Sequence, residues 1–132
     1  MSAPRFSLPI KVGPEAIDER DHVNNLTYLL WCLMAAEGHW KQVTTPQLQN
    51  DFIWYVLHHS IDYKASAFLG ESLVVETWVQ QITGAKCERH YQIIRPSDKV
   101  TLVRAKTVWC LLDAKTVKPV KIPQKICILF EQ

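Results

Sequence analysis

A polar segment that begins with an acid, residues 18–28, runs directly into eight uncharged residues, 29–36. The first part is dense in turn-forming residues, and the second has the composition of a buried helix. A helix N-terminus presents unpaired backbone N–H groups and the positive end of the helix dipole. A carboxylate such as Asp18 held beside that end could attack a carbonyl carbon or activate water, while an N–H group stabilises the oxyanion. The arrangement therefore predicts chemistry on a carbonyl group.

The same segment resembles the DxxxHVNNxxY signature of the hotdog-fold acyl-CoA thioesterases, in the group similar to 4-hydroxybenzoyl-CoA thioesterase. The positions that match in order are Asp18, His22, Val23, Asn24, Asn25 and Tyr28. The resemblance continues in 61–63, in the turn at 68–71 and in the strand at 75–79. Asp21 departs from the family, in which glycine is common there. Aspartate tolerates the left-handed backbone of a turn at modest cost, and it adds a second carboxylate to the loop.

The resemblance implies a role for each residue of the motif. Asp18 takes the position of the catalytic acid, either as a nucleophile or as a general base for water. Asn25 takes the position whose backbone N–H points at the thioester carbonyl, so its place at the helix start matters more than its side chain. His22, Asn24 and Tyr28 are assigned to the substrate site, with His22 fixing the loop and Tyr28 forming core or pocket wall. The two asparagines can equally serve as caps of the helix.

Coenzyme A carries phosphates, which favour nearby Lys or Arg side chains. Lys86, Arg89 and Arg95 fall in the strand where related enzymes place such residues, and Lys86 and Arg89 are assigned to substrate binding. His59 is also assigned there, because alternation puts it on one face with Tyr55 and it could line an acyl pocket. The resemblance implies neither a metal nor a redox cofactor, and no histidine and cysteine fall into a zinc-binding spacing.

Hydrophobic periodicity predicts the elements that position these groups. A helix is predicted over 26–41. Its apolar residues lie on most of its sides, so we expect it to be buried on most sides. The polar segment 42–51 is predicted to be a linker or short cover, and no later helix is expected. Pro9 cannot donate to a ladder, so its strand is expected at a sheet edge. The predicted strands are 6–12, 52–67, 72–82, 86–95 and 100–112.

Long antiparallel strands and one apolar helix pack most simply as a curved sheet around the helix, an α+β architecture. The resemblance supplies its name, the hotdog fold. Both faces of residues 52–57 are apolar, and one helix covers only one of them. The other face is therefore expected to pack against another subunit, which agrees with the homodimers and homotetramers typical of the family.

Composition narrows the remaining possibilities. With 132 residues, 48% of them hydrophobic, we expect a single domain over 1–132. The net charge is +2 and the pI is about 8.4. The basic residues do not form the dense stripe that is usual in nucleic-acid-binding proteins. The longest uncharged run, 22–36, is shorter than the ~18 apolar residues of a membrane span, and no signal-peptide core is evident. Cysteines without C-x-x-C spacing favour a reduced, cytoplasmic protein; they are Cys32, Cys87, Cys110 and Cys127.

An acyl-CoA thioesterase acting through Asp18 is the function that these features favour. A hydratase of the same fold would need a catalytic histidine in a motif that is not found here. The other thioesterase type on this fold places a glutamate within the helix, whereas the first acid here, Glu37, comes near its end. A non-catalytic acyl-binding or aryl-binding module and a thioesterase for acyl-carrier protein remain open. The acyl group is not specified.

Overall fold

One antiparallel sheet packs against one long helix in the computed structural model, which describes residues 4–131. The helix is α1, Asn25–Val43. The strand order is β1-β3-β4-β5-β2, with β1 at an edge as Pro9 predicts. This confirms the predicted α+β architecture with its five strands. The strands are β1 (Phe6–Lys11), β2 (Phe52–Tyr63), β3 (Ser72–Thr83), β4 (Lys86–Arg95) and β5 (Val100–Asp113).

Two short helices were not predicted. The segment expected to be a linker contains the last residues of α1 and then α2, Pro46–Asp51, which is capped by the Thr45 hydroxyl. After β5, where no helix was expected, α3 covers Gln124–Leu129. Each has six residues, too few for a helical period to be recognised in the sequence. Ile126 and Phe130 are nevertheless buried, so α3 closes one end of the core.

Within a single chain, α1 is buried on one side rather than on most sides. Tyr28, Cys32 and Ala35 face the sheet and are buried. Leu26 and Leu30 lie on the opposite side and are 75% and 55% exposed. The prediction of a helix buried on most sides is therefore wrong for one copy of the chain. No helix in the described part of the chain is both long enough and apolar enough to cross a membrane.

A β-bulge in β2 changes which residues face the helix. Val56 pairs with Trp109, but His58, not Leu57, pairs with the preceding residue of β5. The extra residue reverses the alternation, because successive side chains point to opposite faces of a sheet. Tyr55 therefore faces outward, whereas His59 faces the helix. The prediction that His59 shares a face with Tyr55 is wrong for this reason.

Candidate functional site

The loop before α1 holds Asp18 in a fixed backbone frame. A bridge between Ile17 and Val23 closes the loop. The Asp18 N–H donates to the carbonyl of His22 at 2.8 Å. Its Oδ1 atom accepts from the N–H of Arg20 at 2.9 Å and from that of His22 at 3.2 Å. Among residues 4–131 its Oδ2 atom has no hydrogen-bond donor, so one carboxylate oxygen is available to a ligand.

Asp21 forms the tip of this loop in the left-handed conformation that the sequence predicts. Its φ is 65°, and its N–H donates to the carbonyl of Asp18 at 3.2 Å. The side chain is exposed. Aspartate is therefore accommodated at this turn, and its side chain is a second, solvated carboxylate.

The start of α1 presents its backbone donors beside this loop. Asn24 is the N-cap, and its side-chain oxygen accepts from the N–H of Leu26 at 2.8 Å. Asn25 is the first helical residue, and its carbonyl accepts from the Tyr63 hydroxyl at 3.1 Å. The N–H of Asn25 finds no acceptor in the described part of the chain. It is thus an unpaired donor at the positive end of the helix dipole.

The loop and the helix start border one polar depression. The structure therefore brings together five of the six motif residues, and the sixth, Tyr28, lies behind them in the core. Ser66 also borders the depression, although no pattern in the sequence marked it. The lining residues are Asp18, Arg20, His22, Val23, Asn24, Asn25 and Ser66.

Tyr28 and His22 have structural contacts that fix the depression. The Tyr28 hydroxyl accepts from the N–H of Ala67 at 2.8 Å, and the Ala67 carbonyl accepts from the N–H of Val23 at 3.1 Å. Burial is the main cause of the raised pKa of Tyr28. The His22 ring packs edge-on against Phe68 at 5.3 Å. The Tyr28 side chain therefore joins α1 to the segment that follows β2, and the His22 side chain joins the loop to the same segment.

Arg95 supports the same segment from β4. Its Nη1 atom donates to the carbonyl of Ser66 and to a carboxylate oxygen of Glu71, both at 3.2 Å. Its Nη2 atom donates to Asp98 at 2.9 Å. The hydrogen bonds that Arg95 donates to the Asp98 carboxylate are the main cause of the raised pKa of Arg95. This guanidinium is thus the basic group that the structure places behind the depression, held by two acids.

The other predicted binding residues lie away from the depression. Lys86 is exposed at the start of β4. The His59 Nδ1 atom lies 3.0 Å from the Thr107 hydroxyl on the inner face of the sheet. Arg89 is only 4% exposed, which removes it from the surface where coenzyme A phosphates were expected to meet it. Across the described residues, no group of three or more His, Cys, Asp and Glu side chains is arranged to hold a metal ion.

A second, mostly apolar cavity lies farther along α1, between that helix and the sheet. Its volume is about 380 Å³, within the range of small-molecule sites. Arg89 is its one basic lining residue. The lining residues are Leu33, Ala36, Glu37, Trp40, Phe52, Trp54, Cys87, Arg89, Trp109 and Phe130.

Arg89 is held by two neutral side chains. Its Nη1 atom donates to Nδ1 of His39 at 3.0 Å and to the hydroxyl of Thr77 at 3.1 Å. Burial, followed by the charge of Arg89, lowers the pKa of His39 from 6.5 to about 4. His39 is therefore neutral near pH 7 and can accept this hydrogen bond. Its part in the cluster was not recognised in the sequence, because no spacing rule links it to a residue fifty positions away.

Solved structures of thioesterases share this fold. The chain superposes on Slr0204, a 1,4-dihydroxy-2-naphthoyl-CoA thioesterase from Synechocystis, with a TM-score of 0.85 and 23% identity over 96% of both chains. It superposes on YbaW, a probable thioesterase from Escherichia coli, with a TM-score of 0.85 and 21% identity, covering 96% of this chain and 99% of that one. The hotdog fold expected from the motif is thereby confirmed.

A curated relative is the chloroplastic acyl-(acyl-carrier-protein) hydrolase FATB3 of Cuphea viscosissima. The two sequences are 29% identical over 83 residues, which is 62% of this chain. The matched part is only about 20% of the length of that relative.

A sequence model of the Thioesterase-like superfamily matches residues 12–130. That match takes in the loop of Asp18, the whole of α1 and four of the strands, so it covers both the candidate site and most of the fold. The resemblance first drawn from the eleven residues 18–28 is confirmed over most of the chain, and thioester hydrolysis is the activity for which that family is named. The chain belongs to the Thioesterase-like superfamily.

Proposed function

We propose that this protein hydrolyses acyl-CoA or aryl-CoA thioesters to the free acid and coenzyme A, with Asp18 as the reacting carboxylate. The observation that carries the proposal is that Asp18 and the start of α1 border one depression. Asp18 offers a carboxylate oxygen, and Asn25 offers an unpaired backbone N–H. A thioester carbonyl needs both an attacking group and an oxyanion donor.

Two routes use the same pair of groups. As a general base, Asp18 takes a proton from water, whose oxygen adds to the thioester carbon. As a nucleophile, the carboxylate adds to that carbon itself and forms an anhydride, which water then hydrolyses. In both routes the Asn25 N–H stabilises the oxyanion, the C–S bond breaks, and the thiolate of coenzyme A takes up a proton as it leaves.

The alternative substrate is a thioester of acyl-carrier protein. The specific observation in its favour is the similarity to the acyl-(acyl-carrier-protein) hydrolase of Cuphea viscosissima. The chemistry at Asp18 would be the same, because the acyl group is joined to a thiol in both carriers. Only the contacts outside the depression would differ.

We also propose that copies of the chain assemble, as homodimers or homotetramers. Strand β2 lies at a sheet edge and, among residues 4–131, pairs only with β5. Its outward side chains Ile53, Tyr55 and Leu57 are exposed apolar groups, and Leu30 of α1 is another. A long apolar edge strand pairs readily with another chain. A second copy of this chain offers the same edge, so it is the partner that we propose.

The proposed compartment is the cytoplasm. All four cysteines are free, and Cys32 and Cys87 are buried. Burial raises the pKa of Cys32 to about 12 and that of Cys87 to about 11. Inert, unpaired thiols of this kind are typical of reducing compartments.

The test is release of free thiol from a panel of acyl-CoA and aryl-CoA esters, with octanoyl-acyl-carrier protein beside octanoyl-CoA. The signal of the protein's own cysteines is subtracted with an enzyme-only blank. We expect turnover by the wild type and a turnover rate about 10²–10⁴-fold lower in Asp18→Asn. Asp21→Asn is the matched control, since asparagine also tolerates the left-handed turn, and it should retain wild-type rates.

Other outcomes are equally clear. Unchanged turnover in Asp18→Asn would contradict the assignment of Asp18. Binding of an ester without any turnover would instead favour an acyl-binding or aryl-binding module. Preference for octanoyl-acyl-carrier protein over octanoyl-CoA would favour the alternative substrate.

A further inference from the structure

We propose that the cavity between α1 and the sheet binds a carboxylate carried on an apolar body, with Arg89 as its counter-ion. The proposal does not depend on thioester hydrolysis, because it concerns a second cavity and a binding event. It follows from the surroundings of Arg89, the buried charged side chain among the residues that line the cavity.

Arg89 is buried without an acid. Its Nη1 atom donates to His39 and Thr77, which are both neutral. Its guanidinium lies over the ring of Phe130 at 5.4 Å. Among residues 4–131, no carboxylate lies within ion-pair distance of it. A buried charge is costly unless it is paired, so this position is expected to have an anion that the chain itself does not supply.

Two donors of Arg89 are left for a ligand. Neither Nε nor Nη2 donates to any of the described residues, yet no fully buried side-chain nitrogen or oxygen among them lacks a partner. Each of these two nitrogens therefore keeps some accessible surface, and the open space that Arg89 lines is the cavity. Nε and Nη2 form the side of the guanidinium fork that fits the two oxygens of a carboxylate.

The walls define the rest of the ligand. Indole and phenyl rings of Trp40, Trp54, Trp109 and Phe130 line the cavity. Such walls suit an alkyl or aryl body and do not replace the hydration of a phosphate. Glu37 is the one acid among the lining residues, and it is exposed at the mouth, where it pairs with Lys41 at 2.9 Å.

Two sources can supply such a carboxylate. One is a free carboxylic acid, and the other is the remote carboxylate of an acyl group whose thioester lies at Asn25. The nearest cavity residue on α1, Leu33, lies about 12 Å along the helix from Asn25 at ~1.5 Å per residue. An extended acyl chain would have to cover that distance, so the second source also rests on the proposed function.

Binding is measured by tryptophan fluorescence and by calorimetry with octanoate, and with benzoate, each beside its neutral counterpart, octanol or benzyl alcohol. We expect at least one acid to bind the wild type more tightly than its alcohol. Arg89→Met should weaken the binding of that acid about tenfold or more, because it removes a charged hydrogen bond. The binding of the alcohol should be unaffected. Arg104→Met, at an exposed arginine of β5, is the matched control and should bind like the wild type.

The proposal is overturned if both acids bind no better than their alcohols, whether or not the protein hydrolyses thioesters. It is also overturned if Arg89→Met folds and binds the acids like the wild type. If that variant fails to fold, the affinities of the wild type for each acid and its alcohol still test the proposal.

The source is assigned with suberoyl-CoA, which ends in a carboxylate, beside octanoyl-CoA of the same length. A lower KM for suberoyl-CoA that is lost in Arg89→Met supports the proposal and assigns the carboxylate to the acyl group. Equal KM values together with binding of octanoate support it and assign the site to a free acid.

Discussion

Asp18 and His22 are joined by two hydrogen bonds, one from the Asp18 N–H to the His22 carbonyl at 2.8 Å and one from the His22 N–H to Asp18 Oδ1 at 3.2 Å. The first uses only backbone atoms, and the second uses one carboxylate oxygen. The carboxylate therefore has two separable tasks, since Oδ1 holds the loop while Oδ2 is available to substrate.

Substitutions at Asp18 should separate these tasks. Asp18→Asn keeps the Oδ1 acceptor and should leave the free energy of unfolding nearly unchanged. Asp18→Ala loses both hydrogen bonds that Oδ1 accepts and should cost about 1–3 kcal/mol, at about 0.5–1.5 kcal/mol for each bond. Urea unfolding of both variants measures this difference. Equal stability of the two would contradict the role given to Oδ1.

The donor at the start of α1 can be removed without breaking the helix. Asn25 is the first helical residue, where proline is well tolerated because its missing N–H has no helical acceptor. Asn24 has φ −60° and ψ 135°, which suits a residue before proline. Asn25→Pro should therefore fold, keep its helix content and lose about 10²–10³-fold in kcat, the value of one oxyanion donor.

Asn25→Ala is the control for this substitution, because it keeps the N–H and removes only the side chain. Its kcat should stay close to that of the wild type. Circular dichroism of both variants verifies the helix. If the alanine variant loses as much activity as the proline variant, the side chain rather than the backbone is responsible.

The loop and the helix start could be predicted because their local chemistry is explicit in the sequence. An Asn before an apolar run marks an N-cap, and an Asp at a turn tip allows a positive φ. The bulge at Leu57 could not be predicted, because no glycine or proline marks the extra residue. It reversed the face assigned to His59.

The sequence pattern around Arg89 indicates a buried side chain, contrary to the prediction that it binds phosphate. It alternates with Cys87, Tyr91 and Ile93, all of which are buried on the inner face of β4. Strand alternation therefore placed its side chain inside the protein. The expectation of phosphate binding took precedence because buried arginines are rare. Its contact with His39 depends on tertiary packing, which no local pattern specifies.

Tyr28 should matter for stability more than its neighbour Tyr63. Its hydroxyl accepts from the buried N–H of Ala67, so Tyr28→Phe leaves that N–H without a partner. The expected loss in the free energy of unfolding is about 1–3 kcal/mol. Tyr63→Phe removes a hydroxyl from an exposed side chain and should cost much less. Chemical denaturation of both variants tests the difference, and equal losses would contradict it.

Charges on the outward face of β2 should disrupt self-association. Tyr55→Lys places an ammonium group where the proposed interface needs an apolar side chain, and Leu30→Lys does the same on α1. Light scattering after gel filtration should give a lower molar mass for at least one variant than for the wild type. Val117→Lys replaces an equally exposed apolar residue in the turn after β5 and should leave the mass unchanged. A monomeric wild type would refute the proposed assembly.

His39 should make stability depend on pH in a defined direction. Its pKa is about 4 in the folded chain and 6.5 ordinarily, so the folded state binds fewer protons between these values. Its contribution to stability is therefore fully present above about pH 6.5 and is lost as the pH falls towards about 4. The difference between the two pKa values corresponds to a loss of at most roughly 3 kcal/mol in the free energy of unfolding.

Urea unfolding at about pH 7 and about pH 5 measures this dependence. The wild type should lose more stability between the two conditions than His39→Gln, whose amide oxygen can still accept from Arg89 but does not titrate. His58→Gln, at an exposed histidine of β2, should behave like the wild type. The same loss in His39→Gln as in the wild type would mean that other groups carry the pH dependence, and that His39 is not the buried neutral acceptor that Arg89 requires.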